Sequence, residues 1–470
     1  MEELYADFLV IGSGPAGQKA AIQAAKLGKC VIVIDRGSYP GGECLNAGTI
    51  PSKSLREAIL NLTEFYSKSY YAQGVEVKDV SVNDLNYSLH NVLNHQREMI
   101  ERQFKKNDIR LVHGNASFQN CYEVIVRDEF GKETHHINAE KILIASGSSP
   151  RNPTHIPFDK DTILDSTRLL DIPALPKSII VLGGGIIGSE YASFFAALNT
   201  NVTLVDKRDS ILPYLDKEIG SILYNSLKKI GLKFVGGKEF DSIEKLEKGG
   251  VRLSFSDGSY LEADMLLYAL GRHANVEGLD IENAGISLTS DGYIPVNSLF
   301  QSVVPHIFGA GDVIGGPCLA STSMEQGRLV ARNAFGAKSH HFPDTFPIGI
   351  YTIPEISSCG YTEQQLQKLG YEYAVGRAYY YEIAKSQIAG NDPKSNEGLF
   401  KILFHVDTLE ILGIQIIGSG ATEVIHIGQV AMSFNARIDY FIDQVFNYPT
   451  YAEGYRIAAL NGINKVKERS

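Results

Sequence analysis

A surplus of basic residues is missing from this chain: 44 Lys and Arg stand against 54 Asp and Glu, giving a net charge of −10 and a pI near 5.7. Nucleic acid or an anionic membrane would call for clustered cations, so neither is expected as a partner. A basic leader is missing too. Residues 1–7 are acidic, and the apolar run behind them breaks into glycines within a few positions, so no export signal is read. Nor is there an unbroken apolar run of membrane-spanning length. The nearest, residues 178–197, carries three consecutive glycines and Glu190 and reads as strand, turn and helix. Cysteine is scarce: Cys30, Cys44, Cys121, Cys318 and Cys359 are odd in number and scattered, which fits a reducing compartment and places the protein in the cytoplasm. The pairs His135-His136 and His340-His341 have no carboxylate or cysteine at ligand spacing in the sequence, so no metal is expected.

What is present is a chain of 470 residues, long enough for several domains of roughly 150 residues each. An apolar run at residues 8–11 ends in Gly12-Ser13-Gly14-Pro15-Ala16-Gly17. An Ala-rich helical stretch through Leu27, a second apolar run at 30–34 and then Asp35 follow. In such a βαβ unit Gly12 permits the tight turn, Gly14 lets the backbone approach a pyrophosphate, and Gly17 lets helix pack on strand. The helix N-terminus faces the phosphates, and Asp35 takes a ribose hydroxyl pair. One such motif is weak, since glycines also serve packing alone. The same grammar returns at 179–182, with Gly183-Gly184-Gly185-Ile186-Ile187-Gly188, a helix through Leu198, a strand at 202–205 and Asp206. Two dinucleotide sites in one chain are much harder to obtain by accident.

Further apolar strands end in small residues at Gly147 and Gly271, each closing one dinucleotide-binding half, and another at 307–309 runs into Ala310-Gly311-Asp312. Between them, residues 82–106 have Leu85, Leu89, Val92, Met99 and Ile100 near helical spacing, which predicts an amphipathic helix packed over the first domain. Short apolar runs from 109 to 137 read as a β-meander. After Phe335 come Tyr-rich strands (Tyr379-Tyr380-Tyr381, residues 401–404 and 411–417) and an amphipathic helix near 423–434, together an α+β domain.

The segment Gly41-Gly42-Glu43-Cys44-Leu45-Asn46-Ala47-Gly48-Thr49-Ile50-Pro51-Ser52-Lys53, taken with both glycine motifs in order, resembles the FAD-dependent pyridine nucleotide-disulfide oxidoreductases over nearly the whole chain. The resemblance implies an α/β fold with two nested Rossmann-like dinucleotide-binding domains plus a C-terminal α+β dimerisation domain. It implies an FAD domain from 1–150 and 276–342, an NAD(P) domain from 151–275 and a homodimer-forming domain from 343–470. It assigns Gly12, Gly14, Gly17 and Asp35 to the AMP half of FAD, Asp312 to its ribitol and Gly42 to the flavin's surroundings; Gly147, Gly271 and Gly311 are further cofactor-binding positions. Lys53 would sit beside flavin N5 with Glu190 as its ion-pair partner where nicotinamide stacks. Ala320 and Ser321 would open a helix aimed at the flavin pyrimidine, its N-terminal partial charge favouring negative charge there. Gly183, Gly185, Gly188, Asp206 and Arg208 would hold NAD or NADP.

Two departures alter the chemistry. Family members have two redox cysteines here; this chain has Cys44 but Thr49 at the second position, and a hydroxyl forms no disulfide. The family's His-Pro-Thr-x-x-Glu motif reads Tyr448-Pro449-Thr450-Tyr451-Ala452-Glu453, and a phenol with an ordinary pKa of about 10 is a poor proton shuttle near neutrality. Glu453 then reads as an interface hydrogen-bond acceptor or as keeping a catalytic role. The apparatus for hydride remains, and the resemblance, carried by Cys44 to Thr49 with Ile50-Pro51-Ser52-Lys53 and by Phe446-Asn447-Tyr448-Pro449-Thr450, implies transfer from NADPH to NAD+ through FAD without a disulfide as the expected activity. A one-nucleotide diaphorase or quinone reductase is the alternative, and a catalytically silent nucleotide sensor a further one. A shared pocket must accept a 2′-hydroxyl and a 2′-phosphate. Asp206 suits the first, and Lys207 with Arg208 suit the second unless they are ordinary exposed charges.

Overall fold

The computed structural model describes residues 1–67, 82–390 and 398–467. It divides into two compact units. The first comprises Met1–Leu55, the described part of residues 80–153 and Gly271–Phe342; the second takes the described parts of 56–79, Thr154–Leu270 and residues 343–467.

In the first unit the strand Glu2–Ile11 pairs in parallel with Val31–Asp35 on one side and with Glu133–Ile144 on the other. Side chains on a strand alternate between faces. Phe8 and Val10 therefore join a core with Ala20, Ala24, Leu89, Leu93 and Val330, while Leu9 and Ile11 join another with Ile294 and Val313. The sheet is covered on both faces, as the near-continuous apolar strands require.

The helix Val82–Lys106 forms as the spacing predicts, but its inner face is carried by Leu89, Leu93, Ile100 and Phe104. Val92 and Met99 lie on the exposed side, and the side chain of Leu85 falls outside the described residues. The expected meander is only partly correct. Arg110–His113 pairs in parallel with Val31–Asp35, and the antiparallel meander is Asn115–Phe118, Glu123–Arg127 and Glu133–Ile144. An apolar run carries no label for its partner; Gly114, whose N–H donates to Asp35 O at 2.9 Å, separates the two pairings. Parallel pairing also sets Glu2 beside His135 and Glu3 beside His136, so the carboxylates missing around those histidines in sequence are supplied across the sheet.

In the second unit a five-stranded parallel sheet runs in the order Lys233–Val235, Asn201–Val205, Ser178–Leu182, Met265–Tyr268, Ile163–Leu164. A three-stranded antiparallel sheet, Phe240–Lys245, Val251–Phe255 and Tyr260–Ala263, follows its second crossover. The C-terminal part is a five-stranded antiparallel sheet with the helices Ala421–Ser433 and Glu453–Lys467 packed around Phe400, Phe404, Ile414, Ile425 and Tyr455. Tyr379 ends a strand there, whereas Tyr380–Glu382 turns into a 3-10 helix. Among the described residues no helix is long and apolar enough to cross a membrane.

Candidate active site

In the first unit, Gly12 and Gly17 serve crowding within the fold: a Cβ on Gly12 would lie 2.3 Å from Ala145 O, and one on Gly17 would lie 1.9 Å from Gly12 O. Gly14 differs. It is the N-cap of the helix Pro15–Lys26, at an ordinary φ of −66°, with no side-chain cap, and a Cβ there would meet nothing nearer than Gly42 Cα at 4.0 Å. The amides of the first turn are left to an outside anion. Beside this turn the hydroxyl of Ser146 is buried without a partner, the mark of a group that completes the site.

Asp35 stands at the end of its strand as expected, and Ser13 braces it. The Ser13 N–H and hydroxyl both donate to Oδ2, at 2.7 and 2.5 Å, and the Gly37 N–H donates to Oδ1 at 2.7 Å. Ser13 Oγ in turn accepts the Gly41 N–H at 3.0 Å, so one buried serine ties the glycine turn to the segment carrying Gly42 and Cys44. Asp312 is held by the Ser148 hydroxyl at 2.6 Å. Arg272 grips Ser148 by donating from Nε to Oγ at 2.8 Å and from Nη2 to the carbonyl at 2.7 Å, and it reaches Glu43 at 3.4 Å. Gly311 donates its N–H to Gln326 at 2.8 Å. The helix Ala320–Ala334 has no acid in its first turn and no side-chain cap, and Gly327 lets it cross Pro15–Lys26 so closely that a Cβ would lie 2.0 Å from Ala16 O.

Cys44 lies in the short helix Gly42–Asn46 and is partly buried. Burial pushes its thiol above the ordinary value, against a hydrogen bond from Thr49 and the charge of Lys53, with Asp312 adding to the rise. It is therefore a neutral thiol near pH 7 and a poor nucleophile. Lys53, in the helix Thr49–Ser67, donates to Ser52 Oγ at 3.2 Å.

The second unit repeats the arrangement. Gly183 and Gly188 are the crowded glycines, with a Cβ lying 2.6 Å from Ala269 O and 1.8 Å from Gly183 O. Gly185 is the uncapped N-cap of the helix Ile186–Ala197, with nothing within 4 Å of a Cβ. Ser189, on that helix, has a buried hydroxyl without a partner. Glu190 is 3% exposed, and its Oε1 accepts the Tyr351 N–H at 2.8 Å. Asp206 ends the strand Asn201–Val205. Its Oδ2 accepts the Gly184 N–H at 2.6 Å, and Arg208 closes on both carboxylate oxygens. Burial opposes ionisation of Asp206, but the arginine and the amides of Arg208 and Gly184 prevail and hold the carboxyl below its ordinary value.

Ser13, Ser148, Arg272 and Gln326 escaped the sequence reading. Ser13 sits inside the motif and Arg272 directly after Gly271, whereas nothing local marks Gln326. Lys401 escaped as well. It is 0% exposed in the apolar strand Leu399–His405, and its ammonium meets Asp216 at 2.8 Å, Glu218 at 3.0 Å and Glu363 at 2.5 Å. A lone cation inside an apolar run needs buried anions, and that was the available signal. Tyr448 lies 72% exposed, next to a cleft of about 690 Å³ lined by Val424, Phe446, Pro449 and Tyr451, while Glu453 keeps a buried, unpartnered Oε2.

Two Gly-lined helix N-termini at the ends of parallel strands, each followed by an acid at the next strand end, define a protein with two dinucleotide-binding folds. The model for "pyridine nucleotide-disulphide oxidoreductase" matches residues 6–327, and that for the dimerisation domain of the same family matches residues 346–459. The chain belongs to the pyridine nucleotide-disulphide oxidoreductase family. It is 42% identical over 462 residues to a soluble pyridine nucleotide transhydrogenase of Mycobacterium bovis, covering 98% of each chain. It is 42% identical over 465 residues to one of Pectobacterium atrosepticum, again covering 98% of each. Among solved structures it resembles the HOCl-induced flavoprotein disulfide reductase RclA from Escherichia coli in its Cu(II) complex, with a TM-score of 0.86 at 25% identity over 97% of this chain and 99% of that one. It also shares the fold of LpdA from Mycobacterium tuberculosis, with a TM-score of 0.88 at 23% identity over 98% of this chain and 99% of that one.

Proposed function

We propose that this protein passes a hydride between NADPH and NAD+ with FAD as carrier and no redox disulfide. The observation that carries this is the hydroxyl of Thr49 against the Cys44 thiol, where the family chemistry needs a second sulfur. The 42% identical relatives, named soluble pyridine nucleotide transhydrogenases, support it.

Residues 1–150 and 276–342 then form the FAD domain, 151–275 the NAD(P) domain and 343–470 the dimerisation domain of a cytoplasmic homodimer. The residues fit FAD: the turn at Gly14 has room and free amides for a pyrophosphate, and the orphaned Ser146 hydroxyl offers a bond. FAD, when bound, supplies a two-electron carrier between two nicotinamides. The chain does the placing. Gly12, Gly17 and Gly42 bring backbone close, and Gly147, Gly271 and Gly311 turn it. Asp35, with three of its roughly four acceptor directions taken by Ser13 and Gly37, keeps one for a ribose hydroxyl. Asp312, oriented by Ser148, takes a ribitol hydroxyl, and the N-terminus at Ala320 favours negative charge at the flavin's pyrimidine edge. Gly183, Gly185 and Gly188 make the corresponding cradle for the nicotinamide nucleotides, Asp206 and Arg208 read the adenosine ribose, and Lys53 and Glu190 are the catalytic residues.

The test uses purified holoenzyme, NADPH and a spectrally distinct NAD+ analogue, without oxygen or quinone. Rapid reduction of the analogue is expected. Failure to reduce it while a quinone is reduced quickly would overturn the reading in favour of a diaphorase.

A further inference from the structure

The end of the strand Asn201–Val205 holds an arrangement that neither an NAD-selective nor an NADP-selective site needs. Asp206 is 3% exposed, and its oxygens accept four bonds: the Arg208 N–H at 2.9 Å and Nε at 2.8 Å on Oδ1, the Gly184 N–H at 2.6 Å and Arg208 Nη2 at 2.7 Å on Oδ2. A carboxylate has about four acceptor directions, so none is left for a ribose diol while the guanidinium is seated. Arg208 is 44% exposed along its side chain, so it covers the acid while still facing solvent. Its remaining N–H groups face away from the pair, since a guanidinium carries five donors in a fixed fork.

We propose that Arg208 is a two-position selector that lets one pocket take both nicotinamide nucleotides. Seated on Asp206, it cancels the buried negative charge and presents its outer N–H groups to a 2′-phosphate. Displaced into solvent, it frees two carboxylate directions for the 2′- and 3′-hydroxyls of NAD. The two states exchange like for like: two N–H to carboxylate bonds are given up and two O–H to carboxylate bonds are made, with the backbone amides of Gly184 and Arg208 holding Asp206 in both. The anion of NADP needs the guanidinium in place, because otherwise phosphate and carboxylate repel at close range. The diol needs it gone. This rests on the reading that both nucleotides are substrates.

The experiment measures KM for NADPH and for NADH separately on the holoenzyme, each with an artificial dye as acceptor, so it does not depend on nucleotide-to-nucleotide transfer. In Arg208→Ala the KM for NADPH should rise by about tenfold to a hundredfold relative to that for NADH, the loss of a charge-assisted fork. In Arg208→Lys, which keeps the charge without the fork, the change should be smaller and should shrink further at high salt. Equal rises for both nucleotides, or an unchanged KM ratio, would overturn the proposal and leave Arg208 a structural partner of Asp206. Direct titration of the same variants with 2′-AMP and 5′-AMP gives a second reading: only 2′-AMP should lose affinity, and a parallel loss of both again overturns it. If selectivity shifts as stated but wild-type enzyme fails to pass hydride from NADPH to the NAD+ analogue, the selector stands and the transhydrogenase reading falls.

Discussion

Thr49 stands beside Cys44, and its hydroxyl draws the thiol's pKa down against the larger rise that burial causes. On the proposed reading, a group of similar reach and no redox couple stands in the second sulfur's place. Reductive titration of the wild-type holoenzyme should end after one electron pair, without a long-wavelength thiolate-flavin band. Thr49→Cys puts a second thiol in the neighbourhood of the first, where the family places its redox partner. That variant should take up a second electron pair and lose both free thiols on air oxidation. If it titrates like wild type, the local geometry is not that of the family's disulfide.

Burial acts on the same thiol in a way alkylation can read. A pKa raised above the ordinary 9.0 leaves little thiolate at neutral pH, so carboxymethylation of Cys44 should be slow at pH 7 and accelerate only as the pH passes 9. Mass spectrometry of the modified peptide across pH distinguishes this from an activated cysteine, which would react fully near neutrality.

Arg272 and Ser148 stand 124 positions apart, yet together they aim Asp312. Removing the serine hydroxyl unlinks the acid from the arginine, a loss of about 1 kcal/mol, or roughly fivefold in flavin affinity. Arg272→Ala should weaken flavin binding more, because it also unties Glu43, and Arg272→Lys should not rescue it, since an ammonium cannot bridge Oγ and carbonyl together. Flavin fluorescence released on a thermal ramp measures both.

Such pairings mark where sequence reading stops. The glycine turns, the acids at strand ends and the helix Val82–Lys106 were legible, because punctuation and periodicity are local. The departures at Thr49 and Tyr448 were legible because each changes a functional group at a fixed place in a motif. The partner of Arg110–His113, the grip of Arg272 on Ser148 and the closure of Arg208 over Asp206 were not. Each depends on which segment the fold brings alongside, and a side chain's own neighbourhood in sequence does not record that.

Lys401 gives a stability prediction in two directions. Burial lowers the ammonium's affinity for its proton, but the bonds to Asp216 and Glu363 outweigh it, and the folded value lies above the ordinary 10.5. A raised lysine stabilises fully below its unfolded value and loses that contribution as pH climbs through the folded one. Glu218 is the opposite case. Burial raises its pKa, but Arg377 and Lys401 pull it below 4.5, so its contribution is present above that value and lost as pH falls through the folded one. Thermal melting should therefore show a plateau between pH 4.5 and 10.5 with a fall on either side. Lys401→Met, which leaves three acids facing one another, should lower stability at neutral pH by about 3–5 kcal/mol and reverse the acid limb, since protonation then relieves repulsion.

Four of the motif glycines divide by what a methyl group would meet, and this separates folding from binding. On Gly17 it would lie 1.9 Å from a carbonyl oxygen and on Gly188 1.8 Å, so alanine at either should prevent helix and strand from packing and give little soluble protein. On Gly14 and Gly185 it meets no protein atom closer than 4.0 Å. Both have φ values open to alanine, −66° and −80°, so each substitution should lower stability by no more than about 1 kcal/mol for a poorer N-cap. On the proposed reading the methyl instead occupies the space that the pyrophosphate takes. Gly14→Ala should therefore purify folded but depleted of flavin. Gly185→Ala should purify with its flavin and show a KM raised alike for NADH and NADPH, because the pyrophosphate is common to both. That parallel rise is the control against which the selective effect of Arg208→Ala is measured. A selective change in Gly185→Ala would mean that the two nucleotides do not share the helix N-terminus.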